Sequence, residues 1–245
     1  MPITKVGASQ FSETSGVTTR LLTRSPNAVG NLLVVGFSAS DFGANLSIND
    51  TGGHTWNILH TVLHDSPGSV SSMSWWTIAT TTSSIDVTCT STATAFCIMT
   101  LEEFTGVAAS PVDQVVRSAA GASGTPTSPS FTPSVDDVLV WVWCADSLTD
   151  MGNIDGTKAT AGSNGPAYSG GDGSEYRVLT GRSGVAMTAA FAGSGLFTLM
   201  AATFKPETSV AFNIPIGAGV LGMLGQILDA IQAMSNTARI VIRRS

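Results

Sequence analysis

The residues of this chain that could do chemistry are few, and three of them stand close together. His54, His60 and His64 are its only histidines and fall within eleven residues. Clustered imidazoles invite a metal reading. Residues 56–64 have the pattern of a β-strand, however, which sets His60 and His64 about 13 Å apart at about 3.3 Å per residue. One Zn²⁺ ion needs each ring nitrogen within about 2.1 Å. The spacing therefore predicts no metal site and puts the histidines on a polar strand face. Asp146, Asp150, Asn153 and Asp155 lack the spacing of a calcium loop, and no later Glu closes the set. A solvated acidic loop is the default there, with weak calcium binding as its rival. Asp136-Asp137 precedes a strand, where acids blunt sheet ends, and does not read as a catalytic dyad. There is no Gly-x-Ser-x-Gly, and no cysteine sits in a family-like context beside a histidine, so nucleophilic catalysis has no support. Trp75 and Trp76 are adjacent, so in a strand one ring faces outward unless that side is covered too. An outward Trp suits sugar stacking and subunit contact equally. The sequence thus predicts no catalytic residue, cofactor or metal, with Trp75 and Trp76 as candidate glycan or partner contacts.

Composition limits the function classes. Charged residues are 11% of 245, against about 25% in an average globular protein. Disorder does not follow, because 43% of the chain is hydrophobic. The polar share falls to Ser, Thr, Gly and Asn, which suit exposed strand faces and turns. Such a surface has few charges to desolvate when it packs against neighbours. A net charge of −6 argues against broad nucleic-acid binding. Met1-Pro2-Ile3-Thr4-Lys5 leads into no apolar run, which predicts no signal peptide and synthesis in the cytoplasm. The three cysteines do not form a secreted disulfide framework. Cys89 and Cys97 would face each other if a hairpin turned near Ala93, but small buried thiols are the leading expectation.

The elements that must position these residues are strands, at 17–23, 32–38, 56–63, 70–79, 85–90 and 95–104, then 112–118, 138–145, 175–180, 185–191 and 196–204. Most alternate apolar residues with Ser, Thr or Ala at period two. The run 138–144 is apolar on both sides, which predicts a central or covered strand. Two stretches recur. Residues 31–40 (NLLVVGFSAS) match 137–146 (DVLVWVWCAD) at an offset of 106, and 87–89 with 96–104 match 187–189 with 196–204 at an offset of 100. Duplicated strands in a chain this long predict two halves closing on one core. Residues 119–134, rich in Ser, Pro, Gly and Thr, are expected to link the repeats across the sandwich. Residues 149–173 form the longest stretch without strand pattern, where a partner-contacting surface is expected.

Beyond Pro206 the pattern changes. Val220, Leu224, Ile227, Ile231 and Met234 are spaced 4-3-4-3, a short heptad seam. Gly217, Gly219, Gly222 and Gly225 each weaken a helix by about 1 kcal/mol relative to Ala. Such a helix needs something to pack against. Self-association, with a trimer favoured, or docking into a larger assembly is the expectation, and those five residues are the candidate oligomer interface. A membrane span is disfavoured by Pro215, Gln226 and Asp229. Residues 239–243 read as a brief final strand. The organisation expected is thus a sandwich over 1–206 and an oligomerisation or docking segment over 207–245.

The strand Val29-Gly30-Asn31-Leu32-Leu33-Val34-Val35, the turn Asn49-Asp50-Thr51-Gly52-Gly53-His54-Thr55-Trp56 and the closing Leu199-Met200-Ala201-Ala202-Thr203-Phe204-Lys205-Pro206 carry a family likeness. The chain resembles the low-charge, Ser/Thr-rich jelly-roll-like β-sandwich proteins of tailed bacteriophages and related bacterial surface sequences. Gly53-His54-Thr55-Trp56 departs slightly from the Gly-Asn usual before the aromatic. The resemblance covers about residues 5–206. It implies an all-β, jelly-roll-like fold and a virion protein, either a head decoration or cement protein or a tail-associated accessory. The implied partners are copies of itself and other virion proteins, with a glycan-binding module as the alternative.

Overall fold

A computed structural model describes residues 2–7, 10–40, 44–64, 70–123, 127–146, 151–154, 173–182, 184–187, 189–191 and 195–208. Every regular element among them is a strand. The first seven are β1 (Thr4–Lys5), β2 (Gln10–Arg24), β3 (Leu32–Ala39), β4 (Leu46–Asp50), β5 (Asn57–His64), β6 (Ser71–Ile78) and β7 (Ile85–Thr105). The next six are β8 (Val107–Ser123), β9 (Val138–Asp146), β10 (Met151–Ile154), β11 (Gly173–Leu179), β12 (Ala189–Phe191) and β13 (Gly195–Pro206).

β7 organises the first half. It pairs antiparallel with β2 on one flank and with β3 and β4 in succession on the other. β6 pairs with β3 and β5 with β6, making a seven-stranded sheet that β1 completes at the end of β7. The second half repeats this plan in a four-stranded sheet ordered β11-β9-β13-β8. β7 takes partners from β2 and β3 as β13 does from β8 and β9: Leu101 lies between Gln10 and Val35, and Ala201 between Val116 and Val142. In the same way Val35 pairs with Trp75, and Val142 with Glu175. The short β10–β12 ladder stands where β4 meets the first part of β7.

The duplication is therefore present in the strand pairing, with one change of register. Phe104 pairs with Leu32, and its counterpart Phe204 pairs with Leu139. Leu139, not the Val138 that the sequence match selects, is the equivalent of Leu32. A slip of one residue moves every side chain to the opposite face, and the burial pattern agrees with the corrected register. Leu32 and Val34 pack in one core with Leu139, Trp141 and Trp143, while Val138, Val140 and Val142 pack in another.

Three apolar layers result. The middle one lies between the sheets and joins matching faces of the two copies. The outer face of the first sheet carries Leu33, Val35, Phe37, Met99 and Leu101, packed with Leu22, Leu46, Ile85 and Val87 from strand ends of the same sheet. β4 comes into contact with β6, so this sheet curls to cover its own outer face. The outer face of the second sheet, including Val140, Val142 and Leu199, is covered by Phe131 and Met187. This explains why residues 138–144 are apolar on both sides: β9 is central and its residues 138–145 are enclosed.

Several expectations need correction. A jelly roll sends successive strands to opposite sheets, whereas here the chain completes one sheet before starting the other. Segments 85–90 and 95–104 are one continuous strand, so no hairpin turns at Ala93, and Cys89 and Cys97 are separate buried thiols. The crossing between copies is at Gly106, not at residues 119–134. Gly106 has φ of 80°, and a Cβ there would stand 2.6 Å from the Pro2 carbonyl oxygen, so a side chain is excluded twice over. Among the described residues of 185–191, only Ala189–Phe191 is a strand, and Val185 makes a single bridge to Phe131. β1, β4 and β10 were not legible as strands. The expected C-terminal helix and final strand, and residues 155–172, lie outside the described residues.

Candidate functional site

The ionisable and hydrogen-bonding side chains that the fold gathers lie on the seam between the sheets and at its borders. Glu102 and Glu103 are neighbours on β7, so their side chains leave opposite faces. Both are buried. Glu102 enters the inter-sheet layer, where Trp141 Nε1 donates to its Oε2 at 2.9 Å and Lys5 Nζ lies 3.4 Å from its Oε1. Lys5 also stands 5.0 Å from the centre of the Tyr176 ring, and Tyr176 meets Phe104 edge-on at 5.1 Å. Burial, and then the charge of Glu102, raise the Tyr176 hydroxyl above its ordinary pKa.

Glu103 points the other way into a second closed set. Arg24 donates to its Oε2 from Nε at 2.8 Å and from Nη2 at 2.6 Å. Its Oε1 accepts from Asn31 Nδ2 at 2.5 Å and from the Asn27 backbone N–H at 2.8 Å. A buried carboxylate is stable only when so supplied, and removing one partner strands the other charge.

His60 is the third element of the seam. The expected polar strand face is corrected here: His60 is 4% exposed. Its Nε2 donates to the carbonyls of Val116 on β8 and Ala201 on β13, both at 3.1 Å, and its Nδ1 accepts from Ser74 Oγ at 2.7 Å. Burial, with a smaller push from the Arg117 charge, outweighs the two carbonyl bonds and lowers its pKa to about 4. Ser72 Oγ accepts from Thr198 Oγ1 at 2.7 Å across the same seam.

The other histidines make local contacts, His54 within a turn and His64 with its cross-strand neighbour. Asp50 accepts from Trp56 Nε1 at 2.5 Å and from the His54 backbone at 3.3 Å, with His54 Nδ1 3.2 Å from Oδ2. His54 Nε2 accepts from the Thr80 N–H at 3.1 Å. Burial acts to raise the Asp50 pKa, but the Trp56 and His54 contacts prevail and hold it below the ordinary value. The Asp50–Trp56 bond joins the acid and the aromatic that stand six residues apart in this turn. His64 Nδ1 lies 2.8 Å from Ser71 Oγ. Among the described residues no three of His, Cys, Asp and Glu are grouped to hold a metal ion.

Trp75, a candidate contact residue, is 3% exposed and belongs to the first sheet's outer core, so it presents no ring to a glycan or partner. Trp76 is half-buried against the inter-sheet layer. Both faces of this sheet are covered, which the alternation of a single strand cannot reveal. Asp136 forms an exposed pair with Arg182 at 3.4 Å, and Asp137 takes a left-handed backbone, φ 57°, on entering β9. Val220, Leu224, Ile227, Ile231 and Met234, and the side chains of Asp146, Asp150, Asn153 and Asp155, lie outside the described residues and side chains. Reading the sequence overlooked Glu102, Glu103 and Arg24. The available signal was two adjacent acids inside an apolar strand of a chain poor in charge.

No protein-family model matches this chain, and no curated protein matches it. No helix among the described residues is long and apolar enough to cross a membrane.

Proposed function

We propose that this chain is a structural virion protein of a tailed phage, a head decoration or cement protein or a tail-associated accessory, acting by protein–protein contact. The observation that carries the proposal is where its chemistry is spent. Glu102, Glu103, Arg24 and His60 are enclosed and bonded to strands or turns of the same chain, and so serve assembly of the fold. Exposed large apolar side chains on the described part are Ile58, Val115 and Val178, on the border strands β5, β8 and β11, together with Leu21 on β2 and Val29 before β3. Sheet borders are where a neighbour can add contacts. The low charge and the likeness of residues 5–206 to phage β-sandwich proteins support the same reading.

In this proposal the segment 207–245 joins subunits, with the Val220 to Met234 seam forming a helix in a trimer, or docks the sandwich onto a particle. The glycan-binding alternative keeps only Trp76 of its two rings. Mass spectrometry of purified particles tests the proposal. The chain is expected at a fixed, multi-copy ratio to the major virion protein. Its absence from particles, or saturable glycan binding abolished by Trp76→Ala, would overturn the proposal.

A further inference from the structure

Among the ties between β5 and the second sheet, beside the Arg117–Thr61 bond and the packing of Leu59, is one ring that can take up a proton. β5 belongs to the first sheet, yet His60 reaches the backbone of two strands of the second, through the Val116 and Ala201 carbonyls. Those two residues face each other in the β8–β13 ladder, so the ring spans that ladder. Each nitrogen has one role in the neutral form: Nε2–H donates to the carbonyls, and Nδ1 accepts the Ser74 hydroxyl. A proton added at Nδ1 turns that acceptor into a donor facing another donor. Ser74 must then rotate and find a new acceptor for its hydrogen, although it is itself fully buried. Of the elements packed on the ring, β6 offers Ser74, β13 a carbonyl, and β8 a carbonyl together with the positive charge of Arg117. Arg117 Nη1 donates to Thr61 Oγ1, next to His60, at 2.6 Å. No carboxylate among the described residues is set against the ring to stabilise an imidazolium.

We infer that His60 is an acid-released latch: a proton taken up at Nδ1 parts β5 from the β8–β13 ladder and opens that side of the sheet pair. The proton comes from solvent and is carried by the ring in the open form. An imidazole held near 4 when closed and at its ordinary 6.5 when open shifts the opening equilibrium about 60-fold toward open between pH 7.0 and pH 4.5.

Hydrogen–deuterium exchange of the full chain at pH 7.0 and 4.5, corrected for intrinsic exchange, tests this. The wild type is expected to lose protection at Asn57–His64 and along β8 by about 60-fold between the two pH values. His60→Gln, whose side-chain amide donates to a carbonyl but does not titrate in this range, is expected to lose less than about threefold. An equal loss in both proteins would overturn the latch. Ring-nitrogen NMR of wild-type His60 gives a second reading that does not depend on the variant folding. The ring should protonate well below pH 6, while β5 protection already falls progressively from about pH 6.5 downward. Protonation near 6.5 with protection intact would contradict the latch.

Discussion

The two copies of the repeat share a strand order but not an interior. Where they meet, one supplies bulk and the other supplies room. Trp143 lies over Gly36, whose Cβ, if it had one, would be 2.5 Å from the indole Cδ2. These two residues are counterparts under the corrected register. Trp141, the counterpart of Val34, reaches across to Glu102, whose own counterpart is Ala202. Glu103, with its buried Arg24, is matched in the second copy by Thr203, whose hydroxyl accepts from the Gln114 N–H at 3.0 Å. A pair of identical copies could not interlock in this way. The seam is therefore not self-complementary and specifies which half is which.

That contrast predicts unequal costs at equivalent positions, each readable by chemical denaturation with unchanged m-value. The largest effect is expected from Trp141→Ala, about 4–5 kcal/mol, because it removes a fully buried indole and leaves Glu102 short of a donor. Val34→Ala at the matching site should cost about half as much, since it leaves only a small cavity. Equal losses would mean that the copies contribute alike and the contrast is wrong. Arg24→Ala should cost about 3–5 kcal/mol by stranding Glu103. Thr203→Val, at the counterpart of Glu103, should cost only about 1 kcal/mol. The smallest effect is expected from Ser72→Ala, about 1 kcal/mol or less, for loss of the Thr198 bond on the seam.

The fold class was legible because period-two alternation and turn residues are local signals. Ten of the eleven expected strands recur among β2, β3, β5, β6, β7, β8, β9, β11 and β13, two of them fused in β7. The duplication was legible too, but its register was not. Residues 138–145 are apolar on both faces, so hydrophobicity alone gives no parity by which to choose Val138 or Leu139, and pairing with β13 decides it. β4 was missed because Leu46-Ser47-Ile48-Asn49-Asp50 is short and ends in turn residues, and it is strand only because β7 extends beside it. The candidate site was the least visible. The partners of Glu102, Glu103 and His60 are 39, 79 and 141 residues away in the cases of Trp141, Arg24 and Ala201, and no local pattern encodes separations of that length.

A double-mutant cycle between Gly36 and Trp143 tests the face-to-face duplication most directly. In the wild-type background Gly36→Ala should cost about 2–3 kcal/mol, because its methyl group is driven into the indole. In a Trp143→Phe background, where the smaller ring can withdraw, the same change should cost less than about 1 kcal/mol. A coupling of that size places Trp143 on the seam opposite Gly36. A Gly36→Ala cost unaltered by Trp143→Phe would put the indole on the other face of β9 and contradict the register on which the equivalence of the two copies depends.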